Sequence, residues 1–116
     1  MKKVKAFQLT AAVIISTQSV SAFANSSCYG TVSDGHLRAD GSVMINPIYY
    51  PSYTQICNVK ADWKDVSKDV CWGWFSQVNT AVVEARHIRV YSLTSLACDA
   101  LGTYGNAPAP YYVMLN

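Results

Sequence analysis

Four cysteines, Cys28, Cys57, Cys71 and Cys98, two histidines, His36 and His87, and a run of three aspartates, Asp62, Asp65 and Asp69, carry most of the reactive chemistry open to this chain. No pair of cysteines stands in a CxxC spacing and none has a histidine beside it at ligand spacing, so neither thiol redox catalysis nor zinc binding is expected. An even number of cysteines in a small exported chain instead predicts disulfides. Cys28 is preceded by Asn25-Ser26-Ser27 rather than by the apolar residue that a lipidation site wants, and is read as non-lipidated. His36 and His87 fall on separate elements with no nucleophile and acid beside either. His87 is placed at the C-terminal end of a helix, where the helix dipole favours an imidazolium without catalysis. The aspartates lack the alternating oxygen ligands and closing glutamate of a calcium loop, and fit turn and helix-start charge better. No catalytic residue, metal or cofactor is therefore assigned.

Aromatic side chains offer a different chemistry. Residues 25–116 hold eight Tyr, three Trp and one Phe. Tyrosine and tryptophan combine a flat apolar face with a polar handle, which suits sugar rings and protein interfaces alike. Tyr49, Tyr50 and Tyr53 gather around Pro47 and Pro51, and Tyr104, Tyr111 and Tyr112 around a second proline-rich stretch. These six are the candidate ligand-binding residues. Trp74, Phe75 and Tyr91 sit at periodic positions and are expected to cover the core. Trp72 lies off the apolar stripe of its helix, with Val83 on the same side, and is the candidate interface residue.

The segment 1–24 reads as an export signal. Lys2, Lys3 and Lys5 give a basic start, Leu9 to Ile15 an apolar core too short to span a bilayer, and Ala22-Phe23-Ala24 a cleavage site, so the mature chain is expected to begin at Asn25. Location is thus secreted or periplasmic, with no transmembrane segment. Cleavage removes three of the nine basic residues, leaving six against seven acidic ones and a net charge of −1. Without a basic cluster there is little counterion release to gain, which argues against nucleic acid as a partner. A single domain of this size buries too little surface to be comfortable alone, and two disulfides would each add on the order of 2–4 kcal/mol.

The elements that must position these residues follow from pattern. Tyr29 to Ile45 reads as a hairpin turning at Asp40-Gly41. Ile48-Tyr49-Tyr50, bracketed by prolines, reads as a loop or exposed edge, and Tyr53 to Val59 as a third strand. Ser67, or Asp65 just before it, can cap a helix of about five turns in which Val70, Cys71, Trp74, Val78, Ala81, Val82 and Ala85 recur at helical spacing. Strands follow at Ile88 to Tyr91 and, past the turn-rich Gly102 to Pro110 stretch, at Tyr111 to Leu115.

Three strands, a helix and two strands is the element order of an OB-fold, so the expected fold is mainly β, a small five-stranded barrel over 25–116. In such a barrel the first and fourth strands are antiparallel neighbours, which favours Cys28 with Cys98, and Cys57 ends the strand before the helix that Cys71 opens. Four cysteines allow three connectivities, and Cys57 with Cys98 stays open as an alternative.

The aromatic and alanine-rich helix from Val70, running into Arg86-His87-Ile88-Arg89-Val90-Tyr91, resembles the helix and following strand of the B subunits of subtilase cytotoxin and typhoid toxin. The resemblance implies an exported, disulfide-bonded OB-fold that forms a homo-oligomeric ring and binds cell-surface glycans; the cysteine positions differ, and no sugar-binding residue is carried over. The function expected is a non-enzymatic binding module for a glycan. A periplasmic inhibitor or accessory protein docking on a protein partner is the alternative, and an envelope structural protein the third.

Overall fold

A computed structural model describes residues 25–116; the expected export signal, 1–24, lies outside the described residues. The elements are β1 (Ser26–Leu37), β2 (Ser42–Pro47), β3 (Thr54–Asn58), α1 (Lys68–Glu84), β4 (His87–Ser92), a short 3-10 turn (Cys98–Ala100) and β5 (Pro110–Leu115). The strands form one antiparallel sheet in the order β3-β2-β1-β4-β5.

The long first strand organises the sheet. Ser26 to Thr31 pairs with β4, and the second half, to Leu37, pairs with β2. Between them one extra residue, Ser33, is inserted opposite the Pro47–Asn46 step, and its hydroxyl donates to the Asn46 carbonyl (3.1 Å). Such a bulge resets the alternation of side chains. Cys28, Gly30 and Val32 point inward on even numbers, but beyond Ser33 the inward position is Gly35, whose α-carbon lies against Val78 of α1. Asp34, His36 and Arg38 are thereby turned to the outer face.

The expected hairpin forms. Gly41 takes a φ of +89°, its N–H donates to the Arg38 carbonyl (2.9 Å), and Asp40 accepts from the Ser42 N–H (3.0 Å). The bonds from Ser42 hold the Asp40 carboxyl below the usual carboxylate range. Pro47 closes β2 opposite Val32 instead of opening the loop, and the loop itself runs over 48–53.

Helix α1 starts at the expected cap, where the Ser67 hydroxyl accepts from the Val70 N–H (3.2 Å). It ends at Ala85 in the left-handed region (φ 53°), with the Arg86 N–H returning to the Ala81 carbonyl (2.9 Å). Cys71, Trp74, Val78 and Ala81 face the core, and α1 packs against all five strands. Two expectations change here. Val70 is 47% exposed because the first turn overhangs a groove, and His87 is no helix-end residue: the reversal at Ala85 makes it the first residue of β4.

Beneath the helix lie Val43, Ile45, Ile56, Ile88, Val90 and Val113. Tyr91 does not join them; it alternates with Val90 onto the outer face and stacks on Tyr112 at 5.0 Å. Cys28 is bonded to Cys98 and Cys57 to Cys71, and four paired cysteines fit an oxidising compartment. Strands β3 and β5 are the two edges of the sheet. It is open: what links the β3 side to the β4–β5 connection is a single parallel bridge between Thr54 and Tyr104.

Candidate ligand-binding cleft

That bridge builds the cleft. The Tyr104 N–H donates to the Tyr53 carbonyl (2.8 Å) and the Tyr104 carbonyl accepts from the Gln55 N–H (3.1 Å). To make both bonds Tyr104 takes a φ of +53°, which a tyrosine adopts only under such constraint. The turn behind it is fixed by Lys64, whose ammonium donates to the carbonyls of Gly105 and Ala107 (both 2.8 Å), and the Tyr50 and Thr103 hydroxyls meet at 2.8 Å. Residues 41 to 53 apart in sequence are thus held side by side.

Across from them stands the outer face of β1. His36 sets an edge on the Tyr53 ring (5.1 Å between centroids), and the Arg38 guanidinium lies 5.9 Å from the centre of the Tyr104 ring. Tyr53 donates its phenol proton to Asp34, which also lies 3.8 Å from His36 Nδ1. That hydrogen bond is the main reason the Tyr53 phenol is pushed above its ordinary ionisation. His36, Arg38, Tyr53 and Tyr104 line an open cleft of about 600 Å³. Chemically it offers two aromatic faces, an imidazole and a guanidinium donor, with the Asp34 carboxylate engaged by the Tyr53 phenol. Rings of this kind can stack on flat apolar C–H faces, and the polar groups beside them can reach hydroxyls.

The six candidate tyrosines are redistributed. Tyr53 and Tyr104 meet at the cleft, while Tyr50 is tied by its hydroxyl to Thr103, the neighbour of Tyr104. Tyr49 sits in the same loop with its phenol buried, and burial pushes its ionisation well above the ordinary value. Tyr111 lines a separate groove of about 490 Å³ with Val70, Trp74 and Leu93, and Tyr112 lies on the outer sheet face. Trp72 is 52% exposed, stands edge-on to Phe75 (6.4 Å between centroids) and does not line the cleft. Asp34 and Arg38 were not singled out from sequence; the period-two run Asp34, His36, Arg38 was the available signal. Among the described residues Asp62, Asp65 and Asp69 form no group able to hold a metal ion, and Asp62 instead accepts from the Lys68 N–H (3.2 Å). No described helix is long and apolar enough to cross a membrane. No protein-family model matches the chain, and comparison with curated proteins and with solved structures returns no match.

Proposed function

We propose that this chain acts outside the cytoplasm as a non-enzymatic binding module, and that the cleft of His36, Arg38, Tyr53 and Tyr104 takes a sugar ring of a cell-surface glycan. One observation carries the reading: the strained, doubly bonded Tyr104 presents a half-exposed ring (49%) beside the Arg38 guanidinium, in a cleft it shares with His36 and Tyr53. Preorganised aromatic and polar groups lower the ordering cost of binding, which is what a small neutral ligand with many hydroxyls requires.

An OB-like reading of the fold is part of the proposal. The strand order and the helix between β3 and β4 are those of such a barrel short of its last seam. In a toxin-type B subunit the module would form a homo-oligomer, and the exposed Trp72 and Val83 are the helix positions we assign to that contact. The test is a glycan array probed with the mature, oxidised protein and with Tyr104→Ala. A set of related glycans bound by the wild type and lost by the variant is expected; an array with no binder, or one indifferent to Tyr104, rejects the reading and favours a protein partner.

A further inference from the structure

The outer face of the other half of the sheet is built as carefully as the cleft and is used by nothing described so far. Its central row crosses three strands: Tyr29 of β1 opposite Arg89 of β4, and Arg89 opposite Met114 of β5. The Tyr29 ring is stacked on His87 (5.0 Å, 15° between planes) and lies under the Arg89 guanidinium (4.9 Å). Arg89 Nη1 also donates to the Ser27 hydroxyl (2.9 Å), and the Tyr29 hydroxyl accepts from the Asn116 amide (3.0 Å). The stacked pair Tyr91 and Tyr112 fills the next row. These side chains are locked to one another while Tyr29 and Met114 remain 44% and 42% exposed.

The charge on this face is unbalanced. The ion pairs among the described residues are His36 with Asp34 and Arg86 with Glu84, so Arg89 has no carboxylate within 4.0 Å. A planar, weakly hydrated guanidinium that is already oriented recognises a carboxylate through paired hydrogen bonds at small entropic cost. Tyr29, Arg89 and Met114 are direct cross-strand neighbours on three adjacent strands, and neither of the two cavities described above is lined by them. Surfaces rich in Tyr, Arg and Met suit the face of another protein better than a small ring.

We propose that this β1–β4–β5 face is a second binding surface, distinct from the cleft, and that it docks a protein partner presenting glutamate or aspartate side chains with aromatic neighbours. The carboxylate pairs with Arg89, and the partner's apolar groups cover Tyr29, Met114 and the Tyr91–Tyr112 stack.

The probe is a fluorescein-labelled (Glu-Tyr)4 peptide, followed by anisotropy against the mature, oxidised protein, with (Gln-Tyr)4 as control. The glutamate peptide should bind more tightly than the glutamine one and weaken as salt is raised. Arg89→Gln should weaken it about tenfold, the loss expected for one charge-assisted pair. Met114→Glu, which places a carboxylate opposite Arg89 without removing the stack, should do the same and decides the matter if Arg89→Gln does not fold. Tyr104→Ala should leave peptide binding unchanged. Equal binding of the two peptides, no binding of either, or binding undiminished by Met114→Glu overturns the proposal, whatever the glycan array shows.

Discussion

Two glycine-to-alanine substitutions should move stability in opposite directions, and the reason lies in what each new methyl group meets. Gly73 stands mid-helix on the exposed side of α1, and a Cβ there finds no heavy atom within 4 Å. Only the backbone preference remains, so Gly73→Ala should stabilise the domain by about 0.8–1 kcal/mol. For a domain of this size that raises the melting temperature by roughly 4–8 °C. Gly35 would gain about 0.5–1 kcal/mol on the same ground if it had room. It has none: its Cβ falls on Cγ1 of Val78, which is fully buried beneath α1. Overpacking of this kind costs about 2 kcal/mol at the middle of its range, which exceeds the backbone gain by about 1.25 kcal/mol, so Gly35→Ala should lower the melting temperature by roughly 5–10 °C. Because the two groups compete for one space, Gly35→Ala combined with Val78→Ala should cost less than the two single losses added together. Thermal unfolding of the oxidised protein, followed by near-ultraviolet circular dichroism, reads the wild type and all four variants. A neutral or stabilising Gly35→Ala, or additive losses in the double variant, would refute the placement of α1 against the bulged half of β1.

The disulfides should differ in weight: Cys28–Cys98 closes a separation of 70 residues and Cys57–Cys71 one of 14, so the loop-entropy model gives about 4 and about 3 kcal/mol for their removal. Denaturant titration of the two paired Cys→Ala variants checks the order, although Cys57 and Cys71 are also fully buried and their loss opens a cavity. Burial raises the Tyr49 phenol above the ordinary value of about 10, so the unfolded chain ionises first and the stability it contributes is full below that pH and is lost as pH rises through the folded value. Tyr49→Phe should therefore flatten the alkaline side of the stability profile, and an unchanged alkaline slope would contradict the burial. Light scattering of Trp72→Ala should show a smaller mass than the wild type with an unchanged melting temperature; an intact oligomer that unfolds more easily would return Trp72 to the fold.

Much of this architecture is legible locally. Ser67 capping, the Cys71, Trp74, Val78, Ala81 stripe and the Asp40-Gly41 turn are each decided by residues within a few positions of one another, and all appear where pattern puts them. The preferred disulfides form, Cys28–Cys98 from the adjacency of the first and fourth strands and Cys57–Cys71 from the junction of the third strand with the helix, and the alternative Cys57–Cys98 does not. What escaped were features set by distant backbone. A single extra residue, Ser33, decides which face of β1 carries Asp34, His36 and Arg38, and alternation alone does not announce it. Tyr104 reaches Tyr53 only through a left-handed turn and a bridge to β3, so grouping tyrosines by nearness in sequence joined Tyr104 to Tyr111 and Tyr112 and missed its real neighbours. Tyr91 was assigned to the core because helical and strand periodicity say which residues share a face, and not which face is covered.

The central claim is that the cleft is where ligand binds, and backbone amide shifts recorded while the mature, oxidised protein is titrated with its strongest array glycan test it most directly. Shifts confined to Asp34, His36, Arg38, Tyr53 and the 103–105 turn are predicted, and they should vanish in Tyr104→Ala. Shifts centred on Tyr29 and Arg89 or on the Val70–Tyr111 groove, or a protein that binds no glycan at all, would contradict it.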